Sequence, residues 1–492
     1  MNLKSMYAYD TKKTFCKIVG LLHLLLATFL LLPLPWCFYF EWDPYLGKLF
    51  LGTSLFIALT GIVLRRYGKG SNEIFFPRTA ILIVAYAWLA LGIVGALPYW
   101  ESNAIPRFVD ALFESVSGFT TTGSSILNNI EALPPALQFW RGLTHWIGGL
   151  GVVVLFVSVF PNLGVGSKML FKTESVGPTS GEVTPRIRDT SRNLWYTYAF
   201  LTALEATLLW LAGMAPLDAI VHSFSTMASG GFSTKNGSVA DFHSPMIEWI
   251  IIVFMFFAAV NFGLYYLLVK GRWKAVLKDA ELRFFITVII IFCSVSTISL
   301  WLRTDYDFLH ALRSATFQLM SIISTTGFAS DDYELYAYGP QFMIFLCLLM
   351  GGMAGSTAGG LKQFRVFLMF KIIANNIRLG FTPSLVTKLR VGTTLIHNDL
   401  LHSVLGFFCV YMTSLALGSL FLAYRDNDLL TSLTAVMTCL SGTGPGFGTV
   451  GPMENFAHFD DPSKLALCVM MLLGRLEFFV LLALFHNKLW KP

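Results

Sequence analysis

Charge is what this chain has least of: Asp, Glu, Lys and Arg together make up 13% of its 492 residues, against 55% apolar ones. No soluble domain of this size needs so little polar surface, because most of its exterior must be wetted. The chemistry of enzymes and metal centres is thin as well. The seven cysteines (Cys16, Cys37, Cys293, Cys347, Cys409, Cys439 and Cys468) are scattered, with no C-x-x-C and no metal spacing. The nine histidines form no H-x-x-x-H pattern. An odd number of cysteines inside apolar runs is ordinary packing. No metal centre is assigned, and an intramembrane enzyme would need a nucleophile with its base, or a metal cluster, of which there is no trace.

What is present is apolar sequence in long blocks. Runs of roughly 20 residues, enough to cross about 30 Å of hydrocarbon, recur along the chain. They include IVGLLHLLLATFLLLPLPWCF from Ile18, TAILIVAYAWLALGIVGAL from Thr79 and IEWIIIVFMFFAAVNFGLYYLLV from Ile247. The first run is too long for a signal peptide and lacks a small-residue cleavage site, so it reads as a retained helix. Basic residues cluster between runs: Lys4, Lys12, Lys13 and Lys17, then RRYGKG (65–70), a linker with Lys168, Lys172, Arg186, Arg188 and Arg192, KGRWKAVLKDAELR (270–283), the 363–378 segment with Lys388 and Arg390 beyond it, and the tail NKLWKP. The positive-inside rule then predicts both termini cytoplasmic. A net charge of +6 is explained by that solvated face and needs no nucleic-acid partner.

Four stretches interrupt the apolar blocks with hydroxyls and glycine. DALFESVSGFTTTGSS (110–125) aligns with DAIVHSFSTMASGGFS (218–233), SATFQLMSIISTTGFA (314–329) and TSLTAVMTCLSGTGPG (431–446). Each places a hydroxyl (Ser117, Ser225, Ser321, Thr438) six residues before a glycine (Gly123, Gly231, Gly327, Gly444). Each lies between two apolar segments, and its own apolar piece, about a dozen residues, is too short to cross. The sequence therefore predicts an all-α polytopic membrane protein. Two leading helices (1–70) precede four repeats of span, re-entrant half-helix with loop, and span (71–192, 193–282, 283–398 and 399–492), giving ten full spans around one pseudo-fourfold pore.

Irregular backbone at membrane depth is tolerated where protein buries it or where it lines a wet cavity. Four loops converging on one axis meet that condition. Half-helices entering from outside direct their negative C-terminal ends inward, and a ring of carbonyls can replace the hydration shell of a monovalent cation. Glycine permits φ > 0, so that a carbonyl can turn to the axis.

In this order, SGFTTTG, HSFSTMASGGFST, ISTTGFA and GTGPGFG resemble the four filter segments of the Trk/Ktr/HKT superfamily of potassium transporters, within it the bacterial TrkH/TrkG branch. GGMAGSTAGGLK (351–362) and LGRLEFF (473–479) agree with it, and the resemblance covers nearly the whole chain. It implies a potassium-translocating subunit of the cytoplasmic (inner) membrane, a homodimer, and a cytoplasmic TrkA-type nucleotide-binding regulatory partner. Carried over residue by residue, the filter comprises Thr121, Thr122 and Gly123; Ser229, Gly230 and Gly231; Thr325, Thr326 and Gly327; and Gly442, Thr443 and Gly444. In plant relatives a serine in place of the first filter glycine accompanies sodium preference, so glycine at all four positions here favours K⁺ as the transported ion. The loops differ among themselves, which predicts weaker K⁺/Na⁺ discrimination than four identical strands give. The fourth departs most, with Pro445 and no TTG, and its carbonyl assignment stays open.

Five glycines (Gly351, Gly352, Gly355, Gly359 and Gly360) with Ser356 and Thr357 sit in the middle of the third repeat's second span. Each costs a helix about 1 kcal/mol relative to alanine, so the span should break there. Close helix packing is the bland alternative, and an intramembrane gating loop below the filter is the sharper one, which the resemblance also implies. Arg475, inside an apolar run, either pairs with an acid such as Glu477 or faces the pore beside that loop and raises a barrier to cations. Glu114, His222 and Gln318 hold equivalent half-helix positions. Bracing fits them better than proton coupling, and Asp110 and Asp218 are read as caps of their half-helices. A cation-coupled transporter with alternating access also uses glycine-broken helices, but predicts two inverted halves rather than four repeats in one sense.

Overall fold

The structure is a computed structural model and describes residues 3–39, 43–71, 77–149, 151, 187–382, 390–391, 394–396 and 398–486. The chain begins with a helical pair, Leu3–Phe29 and Pro44–Tyr67, joined through the short helix Leu34–Tyr39. The pair runs antiparallel at close range. Gly61 packs on the Gly20 carbonyl, and Gly68 lies against the backbone of Lys13 and Lys17. Small residues at these points let two helix backbones touch, which is how helices adhere in an apolar solvent.

Four units follow, each with the same parts. The leading helices are Pro77–Glu101, Ile187–Leu211, Ala280–Arg303 and Asn398–Ala423. The half-helices are Phe108–Phe119, Pro216–Ala228, Phe308–Ile323 and Leu429–Ser441, 12 to 16 residues long. At 1.5 Å per residue they span about 18 to 24 Å, short of the bilayer core. All four are buried on most of their surface, with Glu114, His222 and Gln318 fully enclosed.

Three of the four predicted returning spans are broken among the described residues. Among the described residues, five helices are long and apolar enough to cross a membrane, or six when the bent pair Pro245–Ala259 and Phe262–Val269 counts as one span. That pair bends by 94° at Val260 and Asn261. The third returning segment breaks at the glycines, into Tyr338–Leu349 and Gln363–Phe381, as its composition predicts. The fourth breaks between Asp461–Arg475 and Phe479–Leu484, where Glu477 and Phe478 both take positive φ. In the first, the described helix is Pro135–Gly149. Leu150, the rest of the predicted span (152–160) and the basic linker through Arg186 lie outside the described residues, as do Lys388 and the tail beyond His486.

The capping expectation is corrected for two aspartates. Asp110 and Asp218 are first-turn residues without a capping bond: the caps are Arg107 and Ala215. Asp110 instead accepts from Lys464 at 2.6 Å and Asp218 from Thr234 at 2.6 Å. The third and fourth half-helices are the ones capped by carboxylates, Asp307 on the His310 amide and Asp428 on the Thr431 amide.

Candidate functional site

The six-residue spacing between hydroxyl and glycine follows from how each half-helix ends. In every repeat the residue two before the glycine is left-handed: Thr121, Ser229 and Thr325 at φ 56°, 57° and 57°, and Gly442 at 71°. The next amide folds back six-to-one onto the helix. Thr122 donates to the Ser117 carbonyl (2.9 Å), Gly230 to Ser225 (2.8 Å), Thr326 to Ser321 (2.8 Å) and Thr443 to Thr438 (3.0 Å). This is Schellman closure, and it satisfies carbonyls that the helix end would orphan. The repeated hydroxyl is therefore the residue whose carbonyl receives that bond. In the second and third repeats its side chain also ties the loop, Ser225 Oγ donating to the Phe232 carbonyl at 2.7 Å and Ser321 Oγ to Phe328 at 2.6 Å. Three left-handed residues that are not glycine mark stored strain, of the kind that gathers at functional sites.

The four glycines join the loops into a closed ring. Their φ values are 81°, 79°, 79° and 91° for Gly123, Gly231, Gly327 and Gly444. A Cβ on Gly123 would overlap the Gly230 carbonyl, one on Gly231 that of Thr326, and one on Gly327 that of Thr443. A Cβ on Gly444 would come within 2.9 Å of the Thr122 carbonyl. Each glycine thus abuts the carbonyl just before the glycine of the following repeat, and the fourth returns to the first. Both the conformation and the space exclude a side chain at these positions.

The loops are braced from behind. Glu114 accepts from the Ile126 amide (3.0 Å), Ser125 Oγ (3.1 Å) and Arg141 Nε (2.5 Å). His222 reaches Ser233 Oγ (2.9 Å), and Gln318 Nε2 donates to the Asp331 carbonyl (2.8 Å). The fourth repeat, with Ala435 at this place, uses Thr434 on both the amide and the carbonyl of Phe447. The bracing role read for Glu114, His222 and Gln318 agrees with these bonds. Two residues that sequence reading passed over, Arg141 and His145, reach across from the first returning helix to the second loop. Arg141 Nη1 donates to the Ser233 carbonyl at 2.8 Å, and its guanidinium lies 3.7 Å from the Phe232 ring centroid. His145 bridges the Gly118 carbonyl (2.7 Å) and the Phe232 amide (3.2 Å). Only the charge of Arg141 inside an apolar segment could have drawn notice to it.

Beneath the ring lies the glycine-rich segment. Gly351 donates to the Leu361 carbonyl and Gln363 to that of Gly352, closing residues 350–362 into a loop. Its glycines divide the work: Gly355 and Gly360 take φ 75° and 69°, while Gly351 and Gly359 meet backbone where a Cβ would stand. The bend at Val260 frees carbonyls that the loop takes up. Met353 donates to Ala259 (2.9 Å), Thr357 Oγ1 to Ala258 (3.1 Å), and Phe262 in turn donates to Gly355 (3.0 Å). Two broken helices satisfy one another, as backbone at membrane depth requires. Glu281 Oε1 accepts from both sides of the loop, Ala354 (2.6 Å) and Phe364 (3.1 Å).

The loop touches the underside of three of the four ring loops. The Gly359 amide donates to Thr325 Oγ1 at 2.7 Å, the Ser229 and Thr357 hydroxyls bond at 3.0 Å, and a Cβ on Gly359 would overlap the Ser441 carbonyl. Arg475 Nη1 donates to the Thr357 carbonyl at 3.2 Å, and Nη2 to Gly149 at 2.6 Å and to Gly148. Of these carbonyls that of Thr357 belongs to the loop, and the other two to the first returning helix. Glu477 pairs with Arg365 (2.7 Å). Between ring and loop is a cavity of about 20 Å³ lined by Thr121, Gly359, Lys362, Ser441, Gly442 and Arg475, room for roughly one water. Lys362, fully buried there with its Nζ on the Ala358 carbonyl, is a second cation that sequence reading did not single out. On the far side of the ring, Glu334 Oε1 accepts from the Gly448 amide at 2.6 Å, and burial raises its pKa above the ordinary carboxylate value.

Four loops closed into a ring, with the glycine-rich segment and two buried basic side chains beneath it, are the arrangement to set beside known proteins. A family described as "Cation transport protein", TrkH, matches residues 48–491. The Trk system potassium uptake protein TrkH of Salmonella typhimurium is 37% identical over 97% of this chain and 99% of its own length. TrkG of Escherichia coli is 34% identical over 84% of this chain and 86% of its own. The crystal structure of the potassium transporter TrkH from Vibrio parahaemolyticus superposes with a TM-score of 0.87 at 33% identity, covering 97% of this chain and 99% of that one. This chain is a membrane transport protein of the TrkH family.

Proposed function

We propose that this protein takes up potassium across the cytoplasmic membrane through the ring formed by residues 121–123, 229–231, 325–327 and 442–444. The closed cycle of glycine-to-carbonyl contacts around four loops is the observation that carries this reading. Such a ring offers uncharged oxygens to a monovalent cation and no fixed charge that would hold it too tightly. The names of the relatives, potassium uptake proteins of a Trk system, support K⁺ as the cargo. The loop 350–362 with Arg475 and Lys362 is the gate, since it lies against the underside of three of the four ring loops. A homodimer, a TrkA-type nucleotide-binding partner on the cytoplasmic side and both termini on that side complete the proposal, with the repeat boundaries at 70, 192, 282 and 398. Four loops of one sense around one axis favour channel-like permeation over alternating access between inverted halves.

The test is K⁺-dependent growth rescue with rubidium uptake in cells lacking their own potassium uptake, comparing wild type with Gly123→Ser at equal membrane expression. The serine Cβ displaces the Gly230 carbonyl, so wild type should rescue and the variant should lose its preference for K⁺ over Na⁺. No wild-type uptake with the regulatory partner present, or an unchanged preference in the variant, would refute the reading.

A further inference from the structure

The ring has one asymmetric place. In the first, third and fourth loops the residue just before the glycine is a threonine whose hydroxyl bonds the hydroxyl two residues earlier. The pairs are Thr122 with Thr120 (2.8 Å), Thr326 with Ser324 (2.8 Å) and Thr443 with Ser441 (2.7 Å). The second loop has Gly230 and Ala228 at these positions and can make no such staple. Gly230 also has more backbone freedom than the threonines at the three equivalent positions, and its carbonyl is the one that Gly123 abuts.

The missing side chain is replaced from outside the repeat. A Cβ on Gly230 would lie 2.6 to 2.7 Å from His145 Cγ, Cδ2 and Nδ1, so the imidazole occupies the staple's place. The ring is fully buried, stacks on Phe232 at 4.0 Å between centroids, and is fixed at both nitrogens. The Gly118 carbonyl can only accept, so Nδ1 carries the proton and Nε2 receives the Phe232 amide. One side chain thereby joins the end of the first half-helix to the second loop, against Gly230.

We propose that His145 is the positioning residue that sets ion discrimination at the second filter loop, by holding the Gly230 carbonyl where hydroxyl staples hold its three counterparts. This rests on the filter reading above. Loss of His145 frees Gly230 without removing any ring oxygen, so permeation persists while selection among ions weakens. Conversely, a side chain at position 230 and the imidazole exclude one another.

The experiment is uptake of rubidium against graded sodium in the same cells, with the full chain, its regulatory partner and expression-normalised rates. His145→Ala should retain a maximal rate near wild type while its K⁺ preference over Na⁺ falls by about five- to tenfold, the scale of one lost buried hydrogen bond. Gly230→Ala alone should lose preference because its Cβ pushes on the imidazole, and adding His145→Ala should recover part of it. The triple change His145→Ala, Ala228→Ser and Gly230→Thr rebuilds the staple and should recover more. Unchanged preference in His145→Ala, or a double variant no better than Gly230→Ala, overturns the proposal while wild-type selectivity keeps the filter reading intact. Should His145→Ala fail to reach the membrane, Gly230→Ala decides alone, since unchanged preference there would show that no ring occupies that space. Absence of uptake by wild type would instead remove the filter reading itself.

Discussion

Individual ring residues differ in what they tolerate, and the difference separates backbone strain from steric exclusion. Gly442 and Gly327 both have positive φ. Around Gly442, however, the nearest atom to an added Cβ is the Thr121 oxygen at 3.7 Å, whereas at Gly327 it would overlap the Thr443 carbonyl and come within 2.9 Å of Pro445 Cδ. Three loops already carry Thr or Ser at the Gly442 position. Gly442→Ser should therefore cost about 1 kcal/mol of left-handed strain and keep K⁺ preference, while Gly327→Ser abolishes it. Sodium competition against rubidium uptake distinguishes the two, and equal loss in both would show that conformation rather than space governs the ring. The glycines were legible in sequence because four hydroxyl–glycine runs interrupt apolar blocks in register. His145 was not, because its partners Gly118 and Phe232 stand 27 and 87 residues away, and no local pattern reports a bond across repeats.

At the scale of elements, the half-helices and the glycine-rich break were readable from length and composition, and the other two described breaks were not. Five glycines announce the loop at 350–362. The bend at Val260 has only Asn261, whose side chain accepts from the Gly263 amide to start the next helix, and the break after Arg475 uses left-handed Glu477 and Phe478 without any glycine. Aspartates near a helix start misled for a related reason. Asp110 and Asp218 sit in the first turn, and each is claimed by a side-chain donor, Lys464 or Thr234, in place of the helix amides. The loop itself hangs on Glu281, which stands in the segment KGRWKAVLKDAELR that sequence reading took simply as a basic cluster. Glu281→Leu leaves the Ala354 and Phe364 amides buried without that acceptor, each at about 1–3 kcal/mol. Basal rubidium flux without activation should rise while K⁺ preference stays as in wild type, because the ring is untouched. A lowered flux at equal expression would mean that the Glu281 bonds hold the pathway open.

Across the whole molecule, the selection and the closure proposed above fall to different layers stacked along one axis. The ring is made of uncharged backbone oxygens. The layer beneath it carries Lys362 and Arg475 around one small cavity, both held by backbone carbonyls, of Ala358 for the one and of Thr357, Gly148 and Gly149 for the other. Those carbonyls come from the loop and from the first returning helix, so Arg475 fastens the glycine-rich loop to the repeat that also braces the second ring loop. A permeating cation in the cavity meets the Arg475 guanidinium in a low-dielectric setting, where repulsion is strongest. Arg475→Ala removes one charge and the fastening together, and should raise basal flux. Arg475→Lys keeps the charge but cannot reach carbonyls in two directions with a planar fork, so it should give a flux between wild type and the alanine variant. If lysine matches alanine, fastening is what closes the pathway; if it matches wild type, charge alone suffices. Flux unchanged in both, with the protein folded and in the membrane, would take Arg475 out of the gate.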